Sequence, residues 1–323
     1  MKENTADLLS TQGLAVSMRD GKELIPVVHP CDISVKRGGC TGIIGESGCG
    51  KSMICRALLG LHAPEQWQIG GQVYLDGEQV PIESDDAMDG FRGRRMTMIL
   101  QEPLSAFDSR MTIGAHFLEG CRRKQKALRR QGAEEWLKRM DLQDPGGLMK
   151  RYPFELSGGM LQRVMIALSL MTEPELLIAD EPTTALDSTV QRDILLLLAE
   201  LKKEWNLSLL LVSHDLRVIS RMADRIYVMY AGQIVEWGSM EELMENPLHP
   251  YTKGLIRSRP SYSKERLTAM TGRSPRVGEW MGAGCPFAPR CPEAAGECSG
   301  ELPELKQTKG EHFVRCCRQW DRG

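Results

Sequence analysis

Long apolar runs are missing from this chain of 323 residues. The longest candidates, around Leu195 to Leu198 and Leu209 to Val212, are of core length only, against the roughly 18 residues that a membrane-crossing helix needs. No charge of one sign dominates: 41 Lys and Arg face 43 Asp and Glu, a net charge of −2. Non-specific nucleic-acid binding, which needs a basic field, therefore finds no support. The N-terminal MKENTADLLS is polar and acidic, unlike a secretory signal. Internal repeats and low-complexity tracts are absent. Aromatic residues are scarce, at 6%, and residues 1–44 contain no Phe, Tyr or Trp. What is present, 41% hydrophobic and 26% charged residues, describes a globular chain and excludes disorder and collagen. The length predicts about two domains, and the location expected is the cytosol.

The ten cysteines are spread unevenly. Cys31, Cys40, Cys49, Cys55 and Cys121 are scattered, whereas Cys285, Cys291, Cys298, Cys316 and Cys317 crowd the C-terminal end. A cytosolic chain keeps its thiols reduced, so such a cluster argues for a metal before a disulfide.

Weak alternation with turn residues over positions 1 to about 40 predicts antiparallel strands. Thr41 to Ile44 reads as a buried strand, followed by a Gly-rich turn and a helix from about Lys51 to Leu59, stopped at Gly60. More short strands are expected over 69–100, ending in Met96 to Leu100. Residues 105–150 read as helical, with the basic residues Arg122, Arg123, Lys124, Lys126, Arg129 and Arg130 on a solvated face, the alternative being contact with lipid head groups or a membrane partner. From 156 to 230, helices alternate with the apolar runs Leu176 to Ala179, Ser208 to Val212 and Ile226 to Met229. That is the pattern of a parallel sheet covered on both faces. Ser239 and Glu242 form a capping box, so a helix should start there. Beyond about Asn246 the composition turns to Pro, Gly and Cys, predicting a linker and a small terminal module.

Two local motifs carry chemistry. Gly45-Glu46-Ser47-Gly48-Cys49-Gly50-Lys51-Ser52 fits the phosphate-loop pattern G-x-x-x-x-G-K-[ST]. Glycines let the backbone N–H groups converge on phosphates, and the following helix points its positive end at them. Lys51 is placed to reach the β- and γ-phosphates, and the Ser52 hydroxyl to bind Mg²⁺. Leu176-Leu177-Ile178-Ala179-Asp180-Glu181 supplies a carboxylate pair at a strand end. Asp180 is the expected Mg²⁺ carboxylate, directly or through water, and Glu181 the group that orients or deprotonates the attacking water.

Leu156-Ser157-Gly158-Gly159-Met160, followed by Leu161-Gln162-Arg163, resembles the signature motif of ATP-binding-cassette (ABC) ATPases. Its physics is again a helix N-terminus presenting a hydroxyl and bare N–H groups to an anion. The resemblance implies a head-to-tail dimer in which Ser157, Gly158 and Gly159 cap the γ-phosphate held by the partner. Gln101 matches the Q-loop glutamine, a second Mg²⁺ contact and a sensor of the membrane partner. Ala185-Leu186-Asp187 matches the D-loop, which places Asp187 at the dimer interface, and His214 matches the switch histidine on the γ-phosphate. The family fold this implies is α/β: a P-loop ABC ATPase core with a mostly parallel sheet, an antiparallel β subdomain, a helical subdomain over about 105–165 and a Cys-rich C-terminal module. The ATPase domain is expected over 1–245 and the extension over 246–323. The sequence departs from the family at Met160, where the general pattern has Gln. It departs again in residues 1–44, where the family stacks an aromatic ring on adenine and His29 is the only ring available.

Tyr152-Pro153-Phe154-Glu155, the run Leu177 to Asp187 and His249-Pro250-Tyr251-Thr252 resemble the dipeptide, oligopeptide and nickel importers. Ser105-Ala106-Phe107-Asp108 is most similar to the nickel-import members. The resemblance implies a peripheral subunit on the cytoplasmic face of the cell membrane, using ATP and Mg²⁺. Its implied partners are a second ABC ATPase (as a heterodimer, with a homodimer as the other arrangement), two transmembrane permease subunits and, indirectly, an extracytoplasmic binding protein; nucleic acid is not among them. In the tail, Cys285, Cys291, Cys298 and Cys316 follow C-x5-C-x6-C-x17-C. Four thiolates suit zinc or an iron–sulfur cluster, and relatives point to [4Fe–4S]; the other reading is four buried reduced cysteines in a Pro-rich module, with Cys317 either a substitute for Cys316 or a bystander. The competing readings are a soluble ABC ATPase acting on DNA or translation, and a weakly hydrolysing regulatory subunit of a heterodimeric importer.

Overall fold

Every position of the strand Cys40–Ile44 is buried, as a continuous apolar run between two covering layers should be. In the computed structural model, residues 7–120, 126–184, 186–258, 270, 272–280 and 283–322 are described. The chain divides into two compact units, residues 1–83 with 211–323, and residues 84–210.

The first unit opens with β1 (Asp7–Asp20), β2 (Glu23–Cys31) and β3 (Ser34–Lys36). The buried β4 (Cys40–Ile44) leads into α1 (Lys51–Leu58). β5 (Trp67–Leu75) and β6 (Glu78–Gln79) follow. The antiparallel sheet expected from the N-terminal alternation is present, in the order β2-β1-β5-β6 with β3 also on β1. Its register shifts between Gln12 and Ala15. Gly71 there has φ +84, and a Cβ on it would lie 2.3 Å from the Gly13 carbonyl oxygen, so only a bare α-carbon lets the two backbones approach.

The short strands expected over 69–100 are present as β5, β6 and, opening the second unit, a strand ending at Ile99. Between residues 84 and 100 only β7 (Met96–Ile99) is extended. Ala87–Gly90 instead takes a short 3₁₀ turn, in a stretch where Asp85, Asp86, Asp89 and Gly90 favour turns over strand. The expected helical region then runs through α2 (Ile113–Gly120), α3 (Lys126–Arg139) and α4 (Pro145–Leu148) to α5 (Gly158–Leu170). Arg122, Arg123 and Lys124, and the side chains of Lys126, Arg129 and Arg130, lie outside the described residues. β8 (Leu176–Asp180) is parallel to β7, with Met96 opposite Leu176 and Ile99 opposite Ala179. α6 (Ser188–Trp205) completes the unit. The Trp136 and Trp205 rings meet edge to face at 4.7 Å, with the Arg139 guanidinium 5.6 and 5.4 Å from their centroids.

β9 (Ser208–Ser213), buried throughout, carries the chain back to the first unit. After α7 (Leu216–Ile219), β10 (Arg225–Tyr230) runs parallel to β4, and β11 (Gln233–Ser239) turns back antiparallel to β10. The capping box starts α8 (Met240–Glu245) as expected, Ser239 Oγ accepting from Glu242 N at 3.1 Å. α9 (Pro250–Arg257) follows. The C-terminal stretch then adds β12 (Lys306–Gln307) and β13 (Phe313–Val314), which extend the sheet at β11. Phe313 stacks on Trp237 at 4.2 Å. A fully buried carboxylate ties these pieces together. Glu236 accepts from the backbone N–H of Leu248 and His249 at 2.7 and 2.9 Å, and contacts His312 Nε2 at 2.7 Å.

Candidate functional site

The phosphate-loop motif sits in the first unit, on the turn between β4 and α1. A Cβ on Gly45 would lie 2.2 Å from the Met229 carbonyl oxygen, and Gly48 and Gly50 have φ +81 and +106. Glycine is therefore required by contact at one position and by backbone conformation at the others. Gly50 stands at the N-cap of α1 and no side chain caps the helix, so its first N–H groups are offered to whatever the loop receives. Lys51, 5% exposed, donates from Nζ to the carbonyl oxygens of Gly45 at 2.9 Å and Glu46 at 3.0 Å. Its ammonium is thereby held inside the loop. Burial pushes the Cys49 thiol up, consistent with an inert filler. Tyr251 Oη accepts from the Glu46 N–H at 2.9 Å, and Arg290 forms a bidentate ion pair with the Glu46 carboxylate.

His214 is exposed in the turn after β9. The neighbouring Asp215 caps α7, accepting from Arg217 N at 2.8 Å. His29 lies edge-on to Trp280 at 5.1 Å, and burial lowers its pKa. A small cleft beside the loop is lined by Val27, His29, Gly48, Gly232 and Trp280. An aromatic ring from the C-terminal stretch, Trp280, thus reaches the cleft that His29 and Gly48 line.

The second unit carries the other motifs. Asp180 ends β8 and Glu181 follows it, 3% and 7% exposed. Glu181 has φ +46, a region that a non-glycine residue occupies at a cost. Gln101 Nε2 donates to Glu181 Oε2 at 3.4 Å and Thr184 Oγ1 donates to the same oxygen at 2.7 Å. Ser157 is the N-cap of α5, accepting from Met160 N at 3.4 Å. The contact uses the backbone of Met160, so the departure from Gln leaves the cap in place. A Cβ on Gly159 would lie 3.0 Å from Val190 Cγ1. Asp187 caps α6, accepting from Thr189 N and Val190 N at 3.0 Å each. Ala185 lies outside the described residues. Ser52, Gln101 and Asp180 are all oxygen donors, the hard ligand chemistry that suits Mg²⁺.

The C-terminal cysteines differ from expectation. Cys298 and Cys317 approach each other at 3.7 Å Sγ to Sγ, so Cys317 makes the contact for which Cys316 is expected. Burial raises the Cys285 and Cys291 thiols and pushes Cys316 up to about 12 and Cys317 up to about 11. Among the described residues no group of three or more His, Cys, Asp and Glu side chains is placed to hold a metal ion, so the expected quartet of Cys285, Cys291, Cys298 and Cys316 does not fit zinc or an iron–sulfur cluster as arranged.

The sequence places Tyr251 in the motif His249-Pro250-Tyr251-Thr252 but gives no sign of its contact with the phosphate loop. Trp280 and Arg290, at the cleft and on Glu46, are not singled out at all, since each acts over a large sequence separation.

The ABC transporter family model matches residues 28–184, and the model for the C-terminal region of oligopeptide/dipeptide transporters matches residues 235–298. The oligopeptide transport ATP-binding protein OppD of Lactococcus lactis subsp. cremoris is 38% identical, over 96% of this chain and 93% of its own length. The oligopeptide transport ATP-binding protein AppD of Bacillus subtilis is 39% identical, and the dipeptide transport ATP-binding protein DppD of Escherichia coli 38%, each over 96% of both chains. Among solved structures, the dimeric ABC transporter cassette MJ0796 is 26% identical with a TM-score of 0.64, over 72% of this chain and 98% of that one. The cbiO1 protein of Clostridium perfringens, at 24% identity and a TM-score of 0.62 over 74% of this chain and 91% of that one, shows the shared fold alone.

Proposed function

Because the chain belongs to the ABC transporter ATPase family, we propose that it is the ATP-hydrolysing subunit of an importer that brings dipeptides or oligopeptides across the cell membrane. The observation that carries this reading is similarity over nearly the whole of both chains to ATP-binding subunits of oligopeptide and dipeptide transporters. Among the described residues no helix is long and apolar enough to cross a membrane. On the strength of the similarity to transport ATP-binding proteins, the transport path is assigned to two permease subunits, with this chain peripheral on their cytoplasmic side. A second ABC ATPase is its assigned dimer partner.

The phosphates of ATP are received by the loop Gly45 to Gly50, and Lys51 leaves its two carbonyl partners to bind them. Ser52, Gln101 and Asp180 would hold Mg²⁺, which when bound would supply positive charge to offset that of the phosphates. Ser157, Gly158 and Gly159 of this chain close over the γ-phosphate held by the partner subunit, whose own signature segment caps the nucleotide held here, and Asp187 stands at that interface. Glu181 accepts a proton from the attacking water while His214 steadies the γ-phosphate. Gln101, which touches Glu181, links this step to the membrane subunits. Positioning and electrostatics suffice, because phosphoryl transfer requires little covalent help.

Uptake of labelled di- and oligopeptides in a strain lacking this chain tests the reading. Loss of peptide uptake, restored by the intact chain but not by the K51A variant, is the expected result. A second reading, nickel or metal-chelate import, is favoured by Ser105-Ala106-Phe107-Asp108. Unchanged peptide uptake with lost nickel uptake would select it, and loss of neither would leave a soluble ATPase.

A further inference from the structure

Glu46, the second residue of the phosphate loop, is held from three directions, two of them by the C-terminal part of the chain. Its N–H donates to Tyr251 Oη at 2.9 Å, and its carbonyl accepts from Lys51 Nζ at 3.0 Å. Its carboxylate is gripped by Arg290, Nη1 to Oε2 at 2.8 Å and Nη2 to Oε1 at 3.0 Å. The Arg290 side chain is 7% exposed. It lies 5.7 and 5.8 Å from the Tyr230 and Phe287 ring centroids, and its Nη1 also donates to Tyr230 Oη at 3.3 Å. A buried guanidinium with ring faces beside it and a planar two-point contact has little freedom to move away.

A carboxylate in a loop that receives polyphosphate poses a problem of sign. Unpaired, Glu46 would repel the ligand at short range in a partly desolvated place. Paired with Arg290, the couple is neutral. The same contact fixes the residue whose carbonyl holds Lys51. We propose that Arg290 is a positioning residue for the nucleotide site: by neutralising and anchoring Glu46 it makes nucleotide affinity depend on docking of the C-terminal segment. The inference rests on the reading that this loop binds nucleotide.

Binding of MgADP to the full chain, measured by calorimetry, tests it as a double-mutant cycle. R290A is expected to weaken binding about tenfold, because it strands the Glu46 charge. In the E46Q background the same replacement should change affinity less than about twofold, since no charge is left to strand. R290K, which keeps the charge but loses the two-point contact, should fall between R290A and the parent. Equal binding by R290A and the parent would overturn the inference while leaving the function intact. Equal losses in both backgrounds would also overturn it, as expected of a C-terminal segment that merely came unfolded. If R290A does not fold, R290K replaces it in the cycle with the same criteria. A parent chain that binds no MgADP would instead sink the nucleotide reading itself.

Discussion

Gln101 reaches Glu181 across a sequence separation of 80 residues, its Nε2 donating to Oε2 at 3.4 Å. Thr184 donates to the same oxygen at 2.7 Å. With one oxygen so engaged, the Glu181 carboxylate is oriented before any water arrives. β7 and β8 run parallel with Ile99 opposite Ala179, so the residues just past their ends emerge side by side. That registry sets the contact.

Replacing Glu181 by Gln keeps the shape and the hydrogen bond to Thr184 while removing the proton acceptor. Steady-state hydrolysis is expected to fall about a hundredfold or more, with MgATP binding retained. Gel filtration with the partner ATPase and MgATP should show a trapped dimer. Turnover near that of the parent would remove Glu181 from the base role.

Gly45 has no room for a methyl group, because a Cβ would meet the Met229 carbonyl oxygen at 2.2 Å and Cys49 Sγ at 2.8 Å. G45A is expected to lose about 1–3 kcal/mol of stability through overpacking and to abolish measurable nucleotide binding. Thermal unfolding and nucleotide titration check the two halves separately. Retained binding would mean that the loop tolerates displacement from β10.

Acid should loosen the loop's support from the other side. His249, fully buried, accepts from the Tyr251 N–H through Nδ1 at 3.1 Å, which fixes the neutral tautomer with its proton on Nε2. Burial, with a smaller contribution from Lys253 and against the pull of Glu236, lowers its pKa to about 4. The unfolded chain, titrating near the usual ~6.5, binds the proton more readily, so stability is full above about pH 6.5 and is lost as pH falls toward 4. The loss amounts to on the order of 3 kcal/mol. Unfolding curves from pH 7.5 to 4.5 should show H249N with a flatter dependence than the parent. Parallel profiles would reject His249 as the group responsible.

Gly159 faces Val190 across a gap in which a Cβ would sit 3.0 Å from Cγ1. G159V, too large for that gap, is expected to cut ATP hydrolysis at least about tenfold by moving the N-terminus of α5. Nucleotide affinity of the isolated chain should be unaffected, since this residue is assigned to the partner's nucleotide. A matching loss of affinity in the isolated chain would contradict that assignment.

The phosphate loop, the Asp180–Glu181 pair and the Ser157 signature could be read from the chain because each is local. A few adjacent residues dictate a turn, a strand end or a helix N-terminus, and short-range backbone sterics do the rest. The buried strands were legible for the same reason, as apolar runs bounded by glycine or acid. The pairing of Cys298 with Cys317 escaped spacing rules, since adjacent residues 316 and 317 cannot be told apart by counting. Only the folded chain could bring Tyr251 and Arg290 to Glu46, across separations of 205 and 244 residues, or set Trp280 against His29. Sequence alone determined which groups meet phosphate, because neighbouring residues share their geometry. Tertiary structure decided what steadies those groups, because that depends on which distant surfaces were buried together.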